Sequence, residues 1–188
     1  MIKNMILPIY TYGQPVLRKE TKAIDNDYPQ IKELVGNMFE TMYKAEGIGL
    51  AAPQVGLPLR LFIVDGNEVS NNYPECKDFK RVMINPEITF RSDETVSLEE
   101  GCLSFPGIHE KVSRPTNILV EYFDENFVKH EESLSGFNAR IVQHEFEHLY
   151  GRVFIDSISP IRRQLNKGKL NNLIKGKVSC NYKIKSAK

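Results

Sequence analysis

His144 and His148 stand four residues apart, with Glu145 between them, in the run His144-Glu145-Phe146-Glu147-His148. The pattern reads H-E-x-x-H. Its run-up, Phe137 to Val142, has helical character. Residues four apart on a helix share a face, about 40° apart around the axis. Both imidazoles can then reach one metal ion, with Glu145 beside it as a proton acceptor. A five-residue pattern also arises by chance on a charged helix, so the rest of the chain must supply a third ligand.

A catalytic zinc-type site takes three protein ligands and keeps one position open. The metzincin continuation is followed as far as Gly151, but Phe154 stands where its third His belongs. A downstream Glu is excluded, because Glu147 is the last Glu and Asp156 the last carboxylate side chain. The search therefore turns upstream, to Cys102, His109, His130 or a carboxylate. A thiolate is a strong ligand for Zn²⁺ or Fe²⁺. Gly101 permits a close approach beside Cys102. His109 and His130 lie among charged neighbours and read as exposed. Spacing favours Cys102 without securing it.

The elements that must position these groups follow from periodicity. Ile31, Leu34, Val35, Met38, Phe39, Met42 and Tyr43 recur at helical spacing and predict a helix with a core-facing stripe. Asp27 is its expected N-cap, and Gly47 its expected end. The run Gly47-Ile48-Gly49-Leu50-Ala51-Ala52-Pro53-Gln54-Val55-Gly56 is small and uncharged, and it lacks the Lys and Ser/Thr of a phosphate loop. Such a backbone admits a ligand closely, and Gln54 is its one long polar side chain. Short strands are expected at 59–64, 80–85, 87–91, 95–99, around Val112, and in a hairpin over 118–134. Residues 67–80 read as a surface loop, with no role assigned to Cys76. The motif helix is expected to run from Ser135-Gly136 to Gly151, followed by Val153–Ile155 as a short strand or tail. Many short strands and one or two helices make an α+β domain: small antiparallel sheets around a central helix carrying the motif.

The chain has 188 residues, 41% hydrophobic, with a formal net charge of +1. That balance implies neither a membrane nor a sequence-specific nucleic-acid partner. No apolar run approaches the ~18 residues of a membrane span, and the N-terminus lacks a signal-peptide pattern. Three irregularly spaced cysteines do not form a disulfide framework, which points to the cytoplasm. Charge is uneven, however. Residues 157–188 hold nine Lys/Arg and no Asp or Glu. Ile161, Leu165, Leu170, Leu173 and Ile174 hint at an amphipathic helix broken at Gly168. Residues 1–158 then form the catalytic domain, and 159–188 a basic extension, helical or partly disordered. A solvated end is the plain reading of this tail, and a contact with a polyanion such as ribosomal RNA is the sharper one.

Three segments together resemble the peptide deformylase family: residues 47–54, Glu100-Gly101-Cys102-Leu103-Ser104, and Gln143-His144-Glu145-Phe146-Glu147-His148-Leu149-Tyr150-Gly151. Residues 12–18 and Val112-Ser113-Arg114-Pro115 also fit. The likeness spans roughly residues 5–158, with the tail matched least. Glu147 stands where the family commonly has Asp, and Pro53 is a second departure.

The resemblance implies hydrolysis of the N-terminal formyl group of formyl-methionyl nascent polypeptides, releasing formate. It implies one divalent metal on Cys102, His144 and His148, Fe²⁺ in the cell, with Zn²⁺ or Ni²⁺ able to replace it in a purified sample. The metal would lower the pKa of a water in the open position. Glu145 would carry the proton, and the Leu103 N–H and the Gln54 amide would face the developing oxyanion. The peptide would pair with backbone near Ile48-Gly49 and Glu100-Gly101, and Ile48 and Ile141 would line the methionine pocket. Arg140 departs from a fully apolar wall there. The rivals are a zinc aminopeptidase or endopeptidase, which the missing downstream ligand disfavours, and a basic ribosome-binding domain with a closed structural metal site, for which no fourth ligand is evident.

Overall fold

A computed structural model describes residues 5–188. Its elements in chain order are β1 (Ile9–Tyr10), α1 (Ile31–Lys44), β2 (Gly49–Ala51), β3 (Leu61–Asp65), β4 (Lys80–Arg91), β5 (Thr95–Gly101), β6 (His109–Pro115), β7 (Asn117–Phe123), β8 (Lys129–Ser135), α2 (Gly136–Leu149), α3 (Pro160–Leu165), α4 (Lys167–Ile174) and β9 (Ile184–Lys185). The fold is mixed α+β. A five-stranded antiparallel sheet has the order β2-β3-β4-β7-β8, and β5 pairs antiparallel with β6. One small pair departs from the antiparallel expectation: β9 returns from the far end of the chain to lie parallel to β1.

The motif helix α2 is the buried centre, packed against β2, β3 and β8. Its ends explain its placement. Glu75, from the loop before β4, accepts from the Phe137 N–H at 3.0 Å and so serves an orphan donor of the first turn. At the other end Gly151 takes φ 67°, with Arg152 N–H bonding Glu147 O and Gly151 N–H bonding His148 O. That is the Schellman arrangement. A Cβ at Gly151 would meet the Arg18 backbone at 2.7 Å, so only glycine lets the chain turn here.

Alternation does the rest. Along β7, Ile118, Val120 and Tyr122 face inward. Along β6 the inward residues are Glu110, Val112 and Arg114, so two charges are driven into the interior and must find partners there. The apolar residues gather in three clusters. One, under α1, includes Met38, Met42, Leu50 and Ile63. A second, between α2 and the sheet, includes Phe62, Met83, Val120 and Ile141. The third joins Phe105, Val112 and Phe154 to Leu170 and Leu173 of the basic extension.

Several boundaries differ from the sequence expectations. Helix α1 starts at Ile31, not after Asp27: Pro29 disfavours helical backbone at Tyr28, and Gln30 sits in the left-handed region at φ 60°. It ends at Lys44; Glu46 takes the left-handed turn (φ 56°), and the Gly47 N–H closes on Met42 O. The strands expected at 80–85 and 87–91 are one strand, irregular between Ile84 and Glu87, with Asn85 at φ 49°. The hairpin's second strand begins at Lys129, because Phe127 turns with φ 58°. Residues Phe154–Asp156 form a 3₁₀ turn rather than a strand. The break in the extension falls at Asn166, whose side chain donates to Glu110, while Gly168 lies inside α4. Cys76 is fully buried, and burial pushes its thiol up to about 11.

Candidate metal centre and active site

The three core clusters meet at one cavity of about 400 Å³. Ile48 and Ile141 belong to the second cluster, Leu103 to the first and Cys102 to the third. All four line the cavity, as do Gly49, Gln54, Glu100, Gly101, His144 and Glu145. His148 closes the set from beneath, with Nε2 at 3.4 Å from Cys102 Sγ. The sequence candidates thus come together, although 44 residues separate Glu100 from His144.

The ligand atoms of Cys102, His144 and His148 all lie within 4.8 Å of one another. Metal–sulfur bonds of ~2.3 Å and metal–nitrogen bonds of ~2.0 Å in a tetrahedron imply sulfur–nitrogen edges of about 3.5 Å. The Cys102–His148 separation matches that edge. The donor set of one thiol and two imidazoles suits a borderline-soft divalent ion. His109 is exposed and His130 pairs with Asp124 at 2.8 Å, so neither belongs to the centre.

Glu100 orients this centre through its side chain. Its carboxylate accepts from Arg114 (2.6 and 2.9 Å) and Arg140 (2.5 Å), and lies 2.9 Å from His144 Nδ1. The Nδ1 contact turns the Nε2 of His144 toward the thiol. Burial would push the Glu100 carboxyl up, but the bonds from His144 and Arg114 prevail and hold it well below the usual carboxylate range. Arg140 borders the cavity, yet its guanidinium is committed to Glu100 and to the carbonyls of Val112 and Val96. Glu147 reaches Arg114 at 3.0 Å and so joins the same network. The Arg114–Arg140 clamp was missed in the sequence. Its signal was the inward register of Arg114 on β6.

The two histidines differ. Burial and the charges of His144 and Arg114 push His148 well below its ordinary value, which favours the uncharged imidazole. At His144 burial acts the same way, but Cys102 and Glu100 outweigh it and raise its pKa. Glu145 is buried, one carboxylate oxygen has no partner among the described residues, and burial pushes it up to about 7. A cation beside it would favour the ionised form.

Gln54 is anchored by its own loop. Its Oε1 accepts from the Ala51 N–H at 2.8 Å, which decides the amide orientation. The NH₂ end therefore faces Cys102 Sγ (3.4 Å) and Ser104 Oγ (3.2 Å). The Leu103 N–H has no acceptor among the described residues. Gly49 allows all this: a Cβ there would lie 2.8 Å from Glu145 Cδ.

The family model for polypeptide deformylase matches residues 6–164. The chain belongs to the polypeptide deformylase family. It is 47% identical over 188 residues to the peptide deformylase of Christiangramia forsetii, covering 96% of each chain. Against that of Salinibacter ruber the identity is 42%, over 96% of this chain and 94% of the relative. Among solved structures, the peptide deformylase of Plasmodium falciparum superposes with a TM-score of 0.81 at 39% identity, covering 89% of this chain and 95% of that one. The Thermotoga maritima peptide deformylase gives 0.76 at 41% identity, covering 84% and 100%. As a peptide deformylase, the chain is a hydrolase with a candidate site for a single metal ion. No helix among the described residues is long and apolar enough to cross a membrane.

Proposed function

We propose that this peptide deformylase hydrolyses the formyl amide of N-formyl-methionyl nascent chains, with Cys102, His144 and His148 holding one divalent ion. The observation that carries the reading is the buried Glu145 carboxylate, unpartnered on one oxygen, at the cavity beside the thiol and the imidazoles. When bound, the metal supplies a Lewis acid that makes water a nucleophile near neutral pH. Fe²⁺ is the ion we propose for the cell, with Zn²⁺ or Ni²⁺ as replacements after purification, since thiolate and imidazole suit all three.

Glu145 accepts the proton of the attacking water and returns it to the amine as the carbon–nitrogen bond breaks. Formate and a free N-terminus result. The Leu103 N–H and the Gln54 NH₂ face the oxygen that gains charge as the formyl carbon becomes tetrahedral. Both β2 and β5 are edge strands with one unpaired side, and residues of both line the cavity. An extended peptide can add there as a strand, through Ile48-Gly49 and Glu100-Gly101. Its methionine side chain enters between Ile48 and Ile141.

Residues 1–158 are the proposed catalytic unit, with 159–188 an extension onto it. Exposed Lys167, Lys169, Lys177 and Lys183 supply a ribosome contact in this reading. Reversing these four to Glu tests it: ribosome co-sedimentation at low salt must fall. The three unpaired thiols suit the cytoplasm, where such chains emerge. The activity is tested by formate release from formyl-Met-Ala-Ser, with Glu145→Ala and Cys102→Ala as controls. Full activity in either variant would sink the mechanism.

A further inference from the structure

The cavity has one wall from an unexpected part of the chain. Tyr182, in the basic extension, lines it. Its hydroxyl donates to the Leu103 carbonyl at 2.8 Å, across 79 residues of sequence. The segment carrying it is fastened on both sides. Lys183 O accepts from the Ile9 N–H, Lys185 O from the Thr11 N–H, and Ser186 O from the Gln14 side chain. Upstream, Leu170 and Leu173 are buried beside Phe105, and Arg162 and Asn166 hold the inward-facing Glu110.

Two planar peptide units flank the Leu103 Cα. The first, which carries the Leu103 N–H, is fixed through its other end: Cys102 O accepts from the Phe105 N–H at 2.8 Å. The second is fixed through Leu103 O by Tyr182. With both units held, the orientation of the Leu103 N–H is fixed at a residue that lines the cavity. The Tyr182 ring packs with Leu103 on the first core cluster, whereas Ile48 and Ile141 stand on the second. The ring thus lines a different wall of the cavity from the Ile48–Ile141 pair.

We propose that Tyr182 is a positioning and specificity-determining residue: its hydroxyl holds the Leu103 peptide in register, and its ring walls the subsite for the residue after methionine. The proposal rests on the deformylase reading and on Leu103 as an oxyanion donor. It makes the C-terminal segment part of the active site.

The test uses full-length, metal-loaded protein with Tyr182→Phe and Tyr182→Ala. Substrates are formyl-Met-Ala-Ser and formyl-Met-Phe-Ser, and metal content and urea midpoints are measured alongside. Tyr182→Phe keeps the ring and removes the hydroxyl, so kcat falls about tenfold while KM changes less than about twofold, as misorientation of a donor affects the transition state. Tyr182→Ala opens the wall, so the kcat/KM ratio of the Phe to the Ala substrate rises about tenfold. A merely structural tyrosine would lower the urea midpoint and leave both the kcat of folded enzyme and the substrate ratio unchanged. That result overturns the proposal while leaving the deformylase reading intact. Absence of formate release by the unaltered protein overturns both.

Discussion

Glu100 Oε2 lies 2.9 Å from His144 Nδ1, inside a clamp made by Arg114 and Arg140. One buried carboxylate therefore orients a proposed metal ligand and pairs with two guanidinium groups, one of which Glu147 also meets. Glu100→Gln keeps the shape and removes the charge. Metal affinity should fall about 10- to 100-fold, measured by competition with a chelator. Stability at pH 7 should fall by about 3 kcal/mol, because buried arginine charge is left uncompensated.

The same carboxylate sets a pH dependence. Its folded pKa is depressed, so its contribution is present above the unfolded value of ~4.3 and is lost as pH falls below that toward the folded value. Urea titrations at pH 7, 5, 4 and 3 should show the gap between the original protein and Glu100→Gln constant down to about pH 5 and then shrinking. A gap that widens in acid would mean that the folded Glu100 carboxyl is not depressed.

Gly49 and Glu145 compete for one space. In Gly49→Ala the new methyl would sit 2.8 Å from Glu145 Cδ, so the carboxylate must move. We expect kcat for formate release to drop about 10- to 100-fold with metal content unchanged. The fold should persist, since β2 is held through its ladder to β3.

Glu145 is not counted among the three ligands. Glu145→Gln should retain metal at the level of the unaltered protein and lose about 10²- to 10⁴-fold in kcat. Elemental analysis of the same preparation separates this from a ligand defect, in which metal and activity disappear together.

Leu173 of α4 is fully buried in the third cluster. Leu173→Ala should cost about 2–4 kcal/mol in urea unfolding, as for other large-to-small core changes. A tail that merely floated in solvent would show almost no loss.

Chemistry in this chain was legible wherever it depends on local spacing. His144, Glu145 and His148 are a helical repeat, and the Gly47–Gly56 run shows its small size directly. The alternation of Ile118, Val120 and Tyr122 likewise marks a strand with one buried face. Helix ends were less legible: Asp27 and Gly47 are plausible stops, but Gln30 and Glu46 decide the turns through left-handed backbone angles that composition does not express.

The linear chain by itself determined which groups are available: one thiol in a Gly-Cys-Leu turn, two histidines on one helical face, two carboxylates between them, and a tail without acids. Tertiary structure alone decided what each one meets. Glu100, expected to offer its backbone, turns its side chain under His144, because Arg114 and Arg140 arrive from β6 and α2. Tyr182 reaches Leu103 only because β9 pairs with β1. Such contacts join residues tens of positions apart, where no periodicity or propensity operates. Partners for buried charge and hydroxyl are chosen by the packing of whole elements rather than by their neighbours in sequence.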